Sequence, residues 1–92
     1  MILVDQAIWP HRGKMWAHLV SDSSYDELHR FAEDLGLTRG MFQEDHYDVP
    51  SDVRERAVSL GAKPVDFRVL VLALRDAGLR CRRTQEPVDK EF

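Results

Sequence analysis

Trp16-Ala17-His18-Leu19-Val20-Ser21 and, soon after, Ser24-Tyr25-Asp26-Glu27-Leu28-His29-Arg30-Phe31-Ala32-Glu33-Asp34-Leu35-Gly36 mark a change of hydrophobic period. In the first piece Trp16, His18 and Val20 share one side of a strand and Ala17 and Leu19 the other, because successive side chains alternate across a sheet. In the second, Tyr25, Leu28, Phe31, Ala32 and Leu35 recur at helical spacing. Ser24 followed by Glu27 reads as a capping box, and Asp22 and Asp26 put negative charge near the helix start. Gly36 supplies the stop. The pattern predicts a strand over 16–21 and a helix from 24 to 35.

Working outward, Ile2-Leu3-Val4 suits a short buried strand closed by Asp5. Trp9-Pro10-His11-Arg12-Gly13 reads as a break, since Pro10 lacks an N–H and Gly13 tolerates positive φ. Leu37 to Asp45 reads as a loop. His46-Tyr47-Asp48-Val49 is a second short strand piece, stopped by Pro50. Ser51 or Asp52 then caps a helix carrying Val53, Ala57 and Leu60, ended by Gly61. Lys63-Pro64-Val65 fits a short strand, with Pro64 pointing to an edge. Asp66 caps a third helix through Ala77, ended by Gly78. Its stripe of Phe67, Leu70, Val71 and Leu74 is widened by Val69, Leu72 and Ala73, which places the helix in the core or under a partner chain. Residues 79–92 lack periodicity and read as a flexible tail.

Alternating strand and helix signals imply a small α/β or α+β fold, a single domain over residues 1–78. About three helices would pack on a three- to four-stranded sheet. Parallel pairing of Ile2–Val4, His46–Val49 and Lys63–Val65 would require right-handed crossovers, with Trp16–Ser21 added antiparallel.

A length of 92 residues, 43% hydrophobic and 32% charged, suits one globular domain. Thirteen basic against 16 acidic residues give a net charge of −3, which argues against a dedicated nucleic-acid binder. Arg54, Arg56, Lys63, Arg75, Arg80, Arg82 and Arg83 leave a local basic patch open, although arginine near a helix end is also ordinary dipole compensation. The lone Cys81 forms no internal disulfide and points to a reducing cytoplasm. The longest apolar run, Val69 to Leu74, is too short for a membrane span.

Phosphate-binding glycine loops, C-x-x-C pairs, nucleophile elbows and H-E-x-x-H are all missing from the sequence. Histidines and aspartates remain. His46 and Asp48, two apart on a strand, face the same side. His18, Asp22, His29 and His46 are candidate metal ligands, because imidazole nitrogens and carboxylate oxygens suit zinc, manganese or nickel. Asp5 closes a strand, where ligands gather in open sheets. Paired with Asp48, it would suit Mg²⁺. Each residue also has a structural role open to it, as a helix-start charge, a half-buried histidine or a turn aspartate. Trp9 and Trp16 either stack on a ligand or lid the core.

The ordered set Val4-Asp5, Gly13, His18-Leu19 with Asp22, Glu27-Leu28-His29, Phe42-Gln43 and His46-Tyr47-Asp48 resembles a family of short bacterial and phage proteins, the domain of unknown function DUF4031. Arg56-Ala57-Val58 followed by Gly61-Ala62 is similar to its later segment. The resemblance covers residues 2 to 65. It supplies no activity, but implies that His18, Asp22, His29, His46, Tyr47 and Asp48 belong to one pattern, which polar residues make easier to explain by a site than by packing. The expected function is a His/Asp site for a divalent metal or polar ligand. If catalytic, it would hydrolyse a phosphoester, with His46, Asp48 and Tyr47 in the chemistry and Asp5, Glu27 and Gln43 on the ligand. A non-catalytic interaction module, using the third helix and the tryptophans and including a homodimer, is the alternative. Weak nucleic-acid binding is another.

Overall fold

The strand predicted over 16–21 begins two residues earlier, at Lys14, and every other part of the sheet is arranged around it. The computed structural model describes residues 1–80. The chain runs β1 (Ile2–Val4), β2 (Trp9–His11), β3 (Lys14–Ser21), α1 (Tyr25–Asp34), a 3-10 turn (Arg39–Met41), β4 (Phe42–Gln43), β5 (His46–Pro50), α2 (Ser51–Ser59), β6 (Lys63–Pro64) and α3 (Phe67–Asp76). The sheet order is β4-β5-β3-β1-β6, with β2 also paired to β3.

The fold is α+β with three helices, as expected, but its mixed sheet has six strands rather than three or four. The two extra strands lie in segments read as a break and a loop. β2 folds back on β3 through Arg12 and Gly13, whose φ angles of 51° and 77° make the two-residue turn that matches strand twist. Pro10 is tolerated because β2 lies off the main path, where a missing N–H breaks no inner ladder. β4 pairs with β5 across Glu44 and Asp45, with Glu44 at φ 63°. Strand directions follow expectation, with β3 antiparallel to β1 and β5, but β5 lies beside β3 and not in a parallel pair with β1 or β6. Only β1 and β6 pair in parallel.

The register sorts side chains between two faces. Val4 lies opposite Leu19, which lies opposite Tyr47, and Ala17 lies opposite Val49. With Ile2 these pack against Leu28, Ala32 and Leu35 of the α1 region and Ala57 of α2. On the other face Leu3 and Val20 pack against Leu70 and Leu74 of α3. His18 and Asp48 are opposite one another on that same face.

Local signals explain the helix ends. Ser24 accepts from the Glu27 N–H at 3.1 Å, but only half the capping box forms. The Glu27 carboxylate turns to the Ser21 hydroxyl, and Ser21 Oγ takes the Ser24 N–H instead. Helix α2 starts at Ser51 with Pro50 as its N-cap, so neither Ser51 nor Asp52 serves as the cap. Asp66 caps α3 by accepting from the Val69 N–H at 2.9 Å. Gly78, at φ 74°, reverses the chain after α3, so that the Leu79 N–H bonds back to Leu74 and Leu79 joins the smaller core. Leu79 and Arg80 therefore pack on the domain. Cys81, Arg82, Arg83 and the remainder of the expected tail lie outside the described residues.

No helix among the described residues is long and apolar enough to cross a membrane. Helix α3 is only partly core, because Phe67, Val69 and Leu72 stay exposed. Leu19 is fully buried at the centre of the larger core, so Leu19→Ala should lower the unfolding free energy by about 2 to 5 kcal/mol. Leu72→Ala, on the outer side of α3, should change it by about 0.5 kcal/mol or less. Urea denaturation measures both.

Candidate functional site

The exposed part of the α3 face gathers the chemistry. His18 on β3 and Asp48 on β5 are a direct cross-strand pair, and His46 projects on the same side two residues before Asp48. The Nε2 atoms of both histidines point at one oxygen, Asp48 Oδ1, at 4.0 Å from His18 and 3.2 Å from His46. These three atoms lie within 4.8 Å of one another. Their rings meet edge to face, with centroids 5.1 Å apart.

Each imidazole is held from behind by a buried carboxylate. Asp5, at the end of β1, is 1% exposed, and its Oδ2 lies 2.7 Å from His18 Nδ1. Its other oxygen accepts the His18 backbone N–H at 2.6 Å, so one carboxylate fixes both the ring and the strand. The Arg54 Nε–H, from α2, donates to the Asp5 carbonyl at 2.6 Å. Asp45, in the turn before β5, is 3% exposed and its Oδ1 lies 2.8 Å from His46 Nδ1. Arg80 approaches the other Asp45 oxygen at 3.6 Å. With Nδ1 held by a carboxylate, each ring turns its Nε2 toward Asp48.

The site opens into a cavity of about 490 Å³. Trp9, His11, Arg12 and Trp16 of the β2–β3 hairpin line it, with Met41 and Gln43 from the β4 side, and His18 and Asp48. Trp16 Nε1–H donates to the His11 carbonyl at 2.9 Å, which fixes the indole. Trp9 stands edge-on to His18 and to Phe67 of α3, with centroids 5.5 and 5.4 Å away.

The residues singled out in the sequence thus divide. His18, His46, Asp48 and Asp5 converge, and Gln43 lines the adjoining cavity. His29 and Tyr47 meet on the opposite side of the sheet, with His29 Nδ1 2.8 Å from the Tyr47 hydroxyl, beside Phe42. Burial lowers the His29 pKa, and nearby Arg39 adds to this. Burial raises that of Tyr47. Asp22 and Glu27 lie at the other end of β3, both paired with the Met1 ammonium, at 2.8 and 2.9 Å. Of the basic residues, Arg54 and Arg56 donate to the Asp5 and Leu35 carbonyls.

Asp45 was missed in the sequence, as were the cavity-lining roles of His11 and Arg12. One signal for Asp45 was present: Asp45, His46 and Asp48 crowd three chemically active side chains into four residues at the start of a strand.

Burial works against a charge on His46, but the hydrogen bonds to Asp45 and Asp48 outweigh it and push the imidazole up to about 9. The same His46 contact holds Asp48 below the usual carboxylate range. An unfolded imidazole titrates near 6.5, so His46 contributes its stabilisation in full below about pH 6.5 and loses it as the pH rises through about 9. The span corresponds to about 3 kcal/mol. Urea denaturation of chelator-treated protein from about pH 6 to about pH 10 should show stability falling across that window. His46→Gln should flatten the fall, and an equal slope in the variant would contradict the assignment.

Among curated proteins and among solved structures, nothing matches this chain. A family model described as a protein of unknown function, DUF4031, matches residues 2–77. The match runs from β1 through α3, twelve residues past the Val65 at which the resemblance was drawn, and so takes in Phe67 and every residue of the His18–His46–Asp48 cluster. The chain belongs to the DUF4031 family.

Proposed function

We propose that His18, His46 and Asp48 bind one divalent transition metal, and that the metal serves hydrolysis of a phosphoester held in the adjoining cavity. The observation that carries this reading is the convergence of two Nε2 atoms and one carboxylate oxygen, each ring braced at Nδ1 by a buried aspartate. Two imidazoles and a carboxylate with space beside them form the ligand set of catalytic zinc sites, which keep a position open for water. Ligand atoms around a tetrahedral zinc stand roughly 3.3 Å apart. The His46–Asp48 separation of 3.2 Å already matches, and the 4.0 Å from His18 closes with a small side-chain shift. Two imidazole donors favour zinc, manganese or nickel over Mg²⁺, which prefers all-oxygen sites.

A metal held by His18, His46 and Asp48 would supply a water activated near neutral pH. In the hydrolysis a water oxygen would bond to phosphorus while the bond from phosphorus to the ester oxygen breaks, its electron pair leaving on the alcohol. The proton from the water ends on that alcohol, so ester and water give phosphate and alcohol.

Isothermal titration of chelator-treated protein with ZnCl₂, MnCl₂ and NiCl₂ should show one site per chain. His18→Ala, His46→Ala and Asp48→Ala should abolish it. Asp5→Asn and Asp45→Asn, which keep the ligands but loosen them, should weaken it by about 10- to 100-fold. Circular dichroism separates lost metal binding from lost folding. A folded wild-type protein that takes up none of the three metals overturns the proposal.

A second reading, association of two copies through α3, is favoured by the exposure of Phe67, Val69 and Leu72, at 41, 47 and 47%. Light scattering should then report a dimer that Val69→Ser with Leu72→Ser disperses, and a wild-type monomer removes the reading.

A further inference from the structure

The cavity beside the cluster has a composition that a bare metal site does not need. Two indoles, one guanidinium and one primary amide line it together with His18 and Asp48. Its volume of about 490 Å³ falls in the range of small-molecule sites, roughly 300 to 1,000 Å³. Trp9 is 40% exposed although it is large and apolar, and it lines the cavity. Trp16 is fixed by its bond to the His11 carbonyl, so the hairpin presents ordered aromatic surface. Such surfaces bind planar rings by stacking.

Arg12 supplies the charge. It sits in the hairpin turn at φ 51°, and it makes no ion pair among the described residues. Arg54 and Arg80, by contrast, are engaged with Asp5 and Asp45. A guanidinium stays protonated at any working pH and matches phosphate geometry with paired donors. Gln43 offers both a donor and acceptors to a ring edge.

We infer that the cavity takes a free phosphate ester of a planar aromatic group, of the size of a nucleoside monophosphate. The ring lies against Trp9 and Trp16, and the phosphate lies between Arg12 and the metal. This assignment rests on the proposed metal site and adds the substrate class to it. Polynucleotide is disfavoured as the source, because the chain carries −3 and Arg54 and Arg56 are engaged with backbone carbonyls.

The test uses tryptophan fluorescence of zinc-loaded wild-type protein titrated with AMP, adenosine and inorganic phosphate. AMP should quench and bind at least about 10-fold more tightly than adenosine, because charged hydrogen bonds contribute on that scale. Inorganic phosphate should displace AMP without quenching. Arg12→Gln should weaken AMP by about 10- to 100-fold and leave adenosine unchanged. Trp9→Ala, read through the remaining Trp16, should weaken AMP and adenosine alike, by about 5- to 100-fold. Equal binding of AMP and adenosine, or an Arg12→Gln variant that binds AMP normally, overturns the phosphate placement. A 5′-phosphorylated oligoadenylate that binds more tightly than AMP overturns the choice of a free ester. Zinc uptake, measured first, distinguishes the failures. Protein that holds zinc and ignores AMP overturns this inference alone, whereas protein that holds no zinc overturns the metal reading and the phosphate placement with it.

Discussion

The register between β3 and β5 is the constraint on which the site and the core both depend. It sets Leu19 opposite Tyr47 on one face and His18 opposite Asp48 on the other. A slip of one residue would exchange the faces, turning Leu19 toward the cavity and His18 into the larger core. The apolar packing therefore guards the polar arrangement. The burial of Ala17, Leu19, Tyr47 and Val49 on the helix-covered side holds His18 and Asp48 together on the open side.

Asp5 couples a third strand to that register. Both of its carboxylate oxygens are taken by residue 18, one by the backbone N–H and one by the ring, while the Asp5 N–H bonds back to the His18 carbonyl. A carboxylate at 1% exposure is costly unless its charge is met by donors, and here strand and ring supply them. Asp45 plays the corresponding part for His46, with Arg80 on its far oxygen. The Gly78 reversal carries the chain from α3 back over the smaller core, which is how Arg80 comes within reach. The two braces lie 40 residues apart in the sequence, and the sheet brings together the two rings they hold.

Much of this was legible in the residues. Alternation in 16–21 predicted the sides of Trp16, His18 and Val20, and helical spacing with Ser24 and Gly36 predicted α1. Two-residue spacing put His46 and Asp48 on one side. The same parity argument puts Tyr47 on the opposite side from both, so its separation from the cluster followed from alternation alone. The short strands β2 and β4 were not legible, because Pro10 and Gly13 mark one segment as a break and residues 37–45 show no alternation. They exist as the first arms of tight hairpins, fixed by backbone angles at Arg12, Gly13 and Glu44 rather than by hydrophobic period. The position of Asp45 depended on one of those hairpins and was hidden for the same reason.

The two histidine pairings show how one residue type is given different properties by its surroundings. His29 lies beside a hydroxyl and an aromatic ring, where burial disfavours its charge and Arg39 reinforces the effect. His46 lies between two carboxylates, which overcome the same burial penalty and favour the proton. Only the second environment sets a carboxylate at each ring nitrogen, the charge pattern that the proposed metal would answer in place of the proton. Helix α3 leaves room for it. Leu70 and Leu74 cover Leu3 and Val20, while Phe67 stops at the edge of His18, so the rest of that face remains a cavity. A second helix on this face would add apolar burial and close the site. Among the described residues, one helix there against two on the other face divides the sheet into a more covered side and a side with space.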